Sequence, residues 1–578
     1  MLGEHDRAVT ALRDAIDLDR LEPRAWRALS EELFAVGENA QSETASIQAA
    51  VLSIANPKFR EALAQSQPRT PEGLEDAVLE FLEGFPEDAA ALNLLAEISL
   101  ASRRAFDAEA LLERSLEIAP ESASARYNYA FSLLQCGKSA EAIAELDVLV
   151  AQEPQSPLSR KLMAEALLVD GRNEDALHWH EDLVRDCPKQ PLGYVGRGLA
   201  LQALGRLDEC IESIKETLRK FPRFAAAYWN LAGFRTAHFN AEEISAMEDR
   251  LKETDLSEED RTFLLFALGR AYEQQKRFRE SFDSYAAANA LKHSSVGYNP
   301  QVLTQLVVKS KSIFTARFFQ ERAASGCRND APIFIVGLPR SGSSLVEQIL
   351  SRHSSVEALG ELPKIAAIAR KAAVDRGARY PDVLEALGPE ELRLLGEDYV
   401  SFADGRRKLS RTRITDKAPR NFCDIGLIHS ILPRAKIIDV RRHPIGCCFS
   451  NFTQLYVQGQ AFTYSLADLG RYYRNYVELM AHFDTVLPGK IYRLSYEQLI
   501  GNFEPELRRL LDYLELSFEE GCLRFYESER HIRTPSANQV RAPIYADAAE
   551  HWRSFEPWLD ELKEALGPAL SSYPSGYS

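Results

Sequence analysis

The sequence predicts two kinds of structure in one chain: an α-solenoid of paired helices over its first half, then a P-loop-like three-layer α/β/α domain with a central parallel sheet. Three observations predict it. Prolines recur at Pro86, Pro120, Pro154, Pro188 and Pro222, a step of 34 residues, with amphipathic helical segments between them. Gly137, Gly171 and Gly205 keep the same phase, as do the small residues Ala108, Ala142, Ala176 and Cys210. In the second half, the apolar run Ile333 to Val336 passes through a glycine loop into a segment with Leu345, Ile349 and Leu350 at helical spacing, the strand, loop and helix of a phosphate cradle.

Each mark in the first half has a local cause. Proline starts or precedes a helix, glycine makes the tight turn inside each pair, and the small residue lets two helices approach closely. A period of 34 is that of the tetratricopeptide repeat, which the array resembles. A further unit fits Glu259 to Leu291, with Lys276 in place of the turn glycine. Gly3 to Ile16 reads as the second helix of a repeat, so the first repeat is expected to begin upstream or to lack a capping helix. The aromatics Tyr127, Tyr129, Tyr194, Tyr228 and Trp229 are expected to pack helix on helix. The concave face of such an array is expected to collect a protein or peptide partner. The repeats are expected over 1–293, a connecting helix and linker over 294–330, and the α/β domain over 331–578.

The loop Gly337, Leu338, Pro339, Arg340, Ser341, Gly342 sets the chemistry. Its glycines let the backbone approach an anion, and the helix that Ser343 and Ser344 open offers free N–H groups and a favourable dipole. The glycines stand at Walker spacing, but Ser343 replaces the lysine and the cation is Arg340, inside the loop. A nucleoside triphosphatase would need another charge on its terminal phosphates. A 5′-phosphosulfate carries less charge and requires no magnesium.

With PRSGSSL, the Gly360 and Glu361 pair, and DKAPRN from Asp416 to Asn421, the second half resembles the sulfotransferases that use 3′-phosphoadenosine 5′-phosphosulfate (PAPS). Within that superfamily it looks most like the tyrosylprotein branch and its bacterial relatives that carry tetratricopeptide repeats. The resemblance implies Glu361 as general base, and Arg340 and Lys417 as the cations on the leaving phosphate. It implies Pro339, Arg340, Ser341, Gly342, Ser343 and Ser344 around the 5′-phosphosulfate. It further implies Arg442 and Ser450 as the clamp on the 3′-phosphate, with Arg441 an alternative to Arg442, Tyr496 as a cofactor contact, and Ser536 and Arg541 as residues that close over the cofactor. Read without the resemblance, Glu361 is a helix-start carboxylate, Lys417 a surface lysine, Asn421 a cap, Tyr496 a core aromatic, and Asp439 the nearest mimic of a magnesium carboxylate. A charged, mobile stretch is expected from Arg376 to Arg413.

The 85 acidic and 69 basic residues give a formal charge of −16, which disfavours nucleic acid and anionic lipid and demands that any anion site be focused. Eight cysteines without C-x-x-C pairs, and no signal-like or bilayer-length apolar run, lead to the expectation of a reduced, cytoplasmic protein with no metal and no membrane partner. The expected reaction is sulfuryl transfer from PAPS to tyrosine of a protein or peptide. The alternatives are a carbohydrate, lipid or small-phenol acceptor, a P-loop kinase, or a nucleotide-binding repeat scaffold without transferase activity.

Overall fold

The computed structural model describes residues 4–18, 23–36, 38, 41–42, 45, 71–102, 104–234, 236–254, 256–456, 459–527 and 550–573. Ser536 and Arg541 lie outside the described residues. The chain divides into two compact units, Met1–Ala227 and Tyr228–Ser578.

In the first unit, helices Ala89–Ala101, Ala123–Gln135, Pro157–Asp170 and Pro191–Ala203 alternate with Ala105–Ile118, Ser139–Gln152, Asn173–Asp186 and Leu207–Lys220. The Ser122 and Ser156 hydroxyls cap two of the first helices, and Pro157 and Pro191 stand in first turns, where a missing N–H costs nothing. The turn glycines are left-handed, with φ of 74°, 89° and 77° at Gly137, Gly171 and Gly205, and Lys276 takes the same conformation at 61°. Ala108, Ala142, Ala176 and Cys210 are fully buried where helices meet. Tyr194 is buried too, edge-on to Phe221 at 5.5 Å.

The second unit begins among helices. Glu258–Gln274 and Phe278–Val296 pair like repeat helices, yet Phe266, Tyr285 and Ala288 share a core with the sheet residues Phe334 and Val336. Sequence periodicity and packing therefore divide the chain at different places. Instead of one connecting helix there are two, Gln301–Ile313 and Ala316–Glu321, because the Thr315 hydroxyl accepts from the Phe318 N–H at 3.2 Å and caps the second. The stretch expected to be mobile holds helix Pro389–Asp404, which has proline in its first turn and Glu391 accepting from the Gly388 N–H at 2.9 Å.

Five parallel strands form the sheet: β1 (Pro332–Gly337), β2 (Val356–Ala358), β3 (Arg413–Asp416), β4 (Lys436–Arg441) and β5 (Ile491–Ser495), in the order β2-β3-β1-β4-β5. Alternation along β1 sends Ile333 and Ile335 into one core, with Val346 and Leu507, and sends Phe334 and Val336 into the other, with Ile365, Ile428 and Leu479. Helices on both faces complete the three layers. No described helix is long and apolar enough to cross a membrane, and all eight cysteines are free thiols.

His180, on helix Asn173–Asp186, is 2% exposed and lies flat over Gly196, where a Cβ would fall 2.1 Å from its Cε1. Neither ring nitrogen has a hydrogen-bond partner. Burial, helped by the Lys161 charge, lowers its pKa from 6.5 to about 4. The unfolded chain therefore binds a proton that the fold refuses, so stability is intact above pH 6.5 and falls between 6.5 and 4. The full loss is roughly 3 kcal/mol. We expect His180→Gln to flatten this acid limb in denaturant titrations; an unchanged slope would remove His180 as its source.

Candidate active site

Each of the five strands delivers a candidate residue just beyond its C-terminal end. β1 runs into the Arg340 loop, β2 towards Gly360 and Glu361, β3 into Lys417, β4 ends on Arg441 before Arg442, and β5 runs into Tyr496. Parallel strands with crossover connections leave these ends on one edge, where ligands of open α/β sheets bind.

The loop is held by its own conformation and by the helix after β4, Pro444–Phe452. Gly337 has φ of 147° and Gly342 104°, and Arg340 itself is left-handed at 66°. Asn451 Nδ2 donates to the Pro339 carbonyl at 2.8 Å, and the Cys447 thiol approaches the same oxygen at 3.5 Å. Ser341 is 1% exposed, and its hydroxyl has no hydrogen-bond partner. Ser343 and Ser344 occupy the first turn of helix Ser343–Ser351, behind Gly342 at the N-cap.

Five expected residues come together here. Arg340 Nε donates to Ser450 Oγ at 3.1 Å, and Arg442 Nη1 donates to the Arg340 carbonyl at 3.2 Å. The Arg442 guanidinium lies 5.1 Å from the centroid of the Tyr496 ring, and that ring fits against Gly342, where a Cβ would sit 2.5 Å from Tyr496 Cδ2. Arg441 goes elsewhere. It is 4% exposed and donates through Nε to Asp439 at 2.8 Å, while the Tyr476 hydroxyl donates to the other Asp439 oxygen. Of the two arginines, Arg442 is the one on the loop, and both Asp439 oxygens are engaged.

Lys417 and Glu361 form a second group. Lys417 Nζ contacts Glu361 Oε1 at 2.5 Å, with the lysine side chain 2% exposed and the glutamate 55%. The backbone fixes the pair: the Lys417 N–H donates to Gly360 O at 2.8 Å, and the Gly360 N–H donates to Glu347 Oε1 at 3.0 Å. Beside it, Asp416 accepts from the Leu362 N–H and the Tyr399 hydroxyl, but burial outweighs both bonds and raises its pKa to about 7. Tyr456 spans the two groups electrostatically. Burial raises the pKa of its phenol, Arg340 opposes the rise, and Glu361 adds to it; its hydroxyl donates to Asn451 Oδ1 at 2.6 Å.

Asn421 does not cap the following helix. It lies in a 3₁₀ turn, Pro419–Asp424, with its side-chain amide buried and without an acceptor, and helix Ile425–Ile431 starts after Asp424. Asn451, Tyr456 and Glu497 escape a reading of the sequence, and no spacing marks them. Asn451 and Glu497 are polar positions within helical segments, and Tyr456 lies in irregular chain after helix Pro444–Phe452.

Residues 332–520 match the model of the sulfotransferase family, and residues 99–166 match a tetratricopeptide-repeat model. An uncharacterized protein of Aquifex aeolicus is 31% identical over 333 residues, 56% of this chain and 44% of its own length, so the chain spans less than half of that relative. Among solved structures, the sulfotransferase domain of the Synechococcus PCC 7002 olefin synthase is 23% identical, covering 39% of this chain and 89% of that one, with a TM-score of 0.30. The sulfotransferase domain from the curacin biosynthetic pathway is 18% identical, covering 42% and 98%, with a TM-score of 0.31. A tetratricopeptide repeat protein of Parabacteroides merdae is 16% identical, covering 52% and 96%, with a TM-score of 0.26. The architecture is a helical repeat region followed by a parallel-sheet sulfotransferase domain.

Gly342→Ala meets both a left-handed backbone and the Tyr496 ring. We expect it to destabilise the second unit by roughly 1–3 kcal/mol in denaturant titrations. Combined with Tyr496→Ala, it is expected to cost less than the sum of the single changes, since the steric part vanishes. Strict additivity would mean that ring and glycine do not touch.

Proposed function

We propose that the chain transfers the sulfuryl group of PAPS to a hydroxyl acceptor, and that the acceptor is tyrosine of a protein or peptide. The observation that carries this reading is the loop: a glycine cradle whose cation is Arg340, joined through hydrogen bonds to Ser450 and Arg442, with Ser343 at the Walker lysine position. The residues fit the donor. A Cβ on Gly337 or Gly342 would meet Val440 O or the Tyr496 ring, so side chains there would close the cradle, and the buried Ser341 hydroxyl has no protein partner.

Bound in this cradle, PAPS would supply an activated sulfuryl group on a phosphate leaving group. Pro339 to Ser344 and Arg340 would hold the 5′ end, Arg442 and Ser450 the 3′-phosphate, and Tyr496 would support Arg442 from below. Lys417 keeps its proton at Nζ and offers it as a hydrogen bond where negative charge builds up on the leaving side. Glu361, released from Lys417, accepts the phenolic proton at Oε1. Its half-exposed position lets the acceptor reach it from solvent. The work is positioning and charge stabilisation, without a covalent enzyme intermediate.

The repeats we read as the element that binds the protein acceptor or partner. Residues 1–227 hold 39 acidic and 24 basic residues, a formal −15, whereas residues 228–578 hold 46 and 45, a formal −1. A unit so charged attracts a basic partner.

Calorimetry with adenosine 3′,5′-bisphosphate tests the donor. We expect binding without metal, weakened at least about tenfold in Arg442→Ala. Binding of ATP with magnesium, and none of the bisphosphate, would transfer the reading to a kinase. With labelled PAPS, Glu361→Gln is expected to lower turnover on tyrosine peptides roughly a hundredfold to ten-thousandfold while bisphosphate affinity holds. Turnover on carbohydrates or small phenols but not on peptides would replace the acceptor. Tyrosine peptides with basic flanks are expected to show a lower KM than acidic ones at low ionic strength, the gap closing at high salt; the opposite order would refute the charge argument.

A further inference from the structure

The described C-terminal stretch, 550–573, lies across the turn that follows Arg442. Trp552, 7% exposed, stacks face to face on the His443 imidazole, with ring centroids 4.9 Å apart and planes 10° from parallel. Tyr573 meets the same imidazole edge-on, at 5.5 Å and 75°. His443 is thus enclosed by two aromatic rings from the far end of the chain.

The same two ends meet again through Glu497. Its Oε1 accepts from the His443 backbone N–H at 2.9 Å, and its Oε2 accepts from the Tyr573 hydroxyl. Ser495 Oγ lies 3.3 Å from that hydroxyl. Ser495 and Glu497 flank Tyr496, whose ring underlies Arg442 and fits against Gly342. On the other side, the Tyr473 hydroxyl donates to the Arg442 carbonyl at 2.8 Å. The peptide after Arg442 is therefore gripped at both its polar atoms, the carbonyl by Tyr473 and the N–H by Glu497. The imidazole beyond it is held by rings, and its Nδ1 is buried without a partner. His443 offers a flat surface here, not a charge.

We propose that Trp552 and Tyr573 are positioning residues for the donor's 3′-phosphate: they clamp His443 and Glu497 so that Arg442 is presented over Tyr496 in one orientation. This deepens the donor reading above and rests on it. An arginine fork gains from two-point recognition of phosphate only if its angle is set beforehand, since an unfixed guanidinium must lose side-chain freedom on binding. The clamp bears directly on Arg442, which the donor reading assigns to the 3′-phosphate, and reaches the glycine loop only at second hand, through the Arg442 bond to the Arg340 carbonyl and the Tyr496 ring on Gly342. That distinction makes it measurable.

The test is calorimetry of the full chain with adenosine 3′,5′-bisphosphate and with adenosine 5′-monophosphate, which lacks the 3′-phosphate. Wild type is expected to prefer the bisphosphate. In Trp552→Ala and in Tyr573→Phe, bisphosphate affinity is expected to fall about tenfold while that for the monophosphate changes less than about threefold, so the preference collapses. Trp552→Phe, which keeps a stacking ring, is expected to restore most of it. Tyr573→Phe removes one hydroxyl and keeps the ring, so it preserves the packing even where Trp552→Ala does not fold. Equal weakening of both ligands, as loosened packing would give, overturns the clamp. So does an unchanged preference in both variants, with the donor reading left standing. A wild type that binds the two ligands alike overturns the donor reading and the clamp with it.

Discussion

All five strands run parallel, and this constraint decides where the chemistry collects. A parallel strand can be followed only by a crossover, so every strand exits at the same edge and every exit is a loop. Residues separated by up to 156 positions in the chain, Arg340 and Tyr496, thereby become neighbours without any long-range search by the side chains themselves. The two apolar cores hold the strands in register: Ile333 and Ile335 anchor β1 on one face, and Phe334 and Val336 anchor it on the other. A slip of one residue would exchange these sets and carry the whole glycine loop out of line with β4.

The cations at this edge are distinguished by what it costs to uncover them. Arg441 and Asp439 are both almost wholly buried, and Tyr476 completes the carboxylate. Separating them would leave a charge unpaired in an apolar core, at a cost of about 3–5 kcal/mol, so the pair is structural. Lys417 is just as deeply buried, but its partner Glu361 is half exposed. Water can solvate Glu361 once the pair opens, provided another anion takes up the lysine. Two ion pairs of similar length thus differ in exposure: Asp439 is enclosed with Arg441, Tyr476 and, at 3.9 Å, Arg493, whereas Glu361 faces solvent.

The legible parts of the sequence are those with a period or a steric necessity. The repeat is readable because each turn must repeat its left-handed residue, and even Lys276 adopts the glycine conformation at its position. The loop is readable because close backbone approach leaves few alternatives to glycine. Strands β2 and β3 are not, since three or four residues carry no periodicity, and β2 supplies only Val356, Glu357 and Ala358. Helix Pro389–Asp404 hides behind a charge density that suggests a solvated stretch, although Pro389 and Glu391 mark its start. The choice between Arg441 and Arg442 is out of reach for a different reason: it depends on Asp439 two residues earlier and on Tyr476 from a distant helix, and no local pattern encodes their meeting.

Net charge and local charge point in opposite directions in this chain, and screening reconciles them. A −16 protein repels any polyanion at long range, yet nearly all of that excess belongs to residues 1–227, while residues 228–578 are balanced to within one charge. At physiological ionic strength the Debye length is about 8 Å, so carboxylates much farther than that from a bound anion contribute little to its energy. At the strand ends, wherever a bound anion displaces water and the effective dielectric constant falls, a single arginine set by the backbone outweighs many screened carboxylates. What decides anion binding at the strand ends is therefore the charge within a few ångströms, where Arg340 and Arg442 stand on one hydrogen-bonded loop, and not the formal total of the chain.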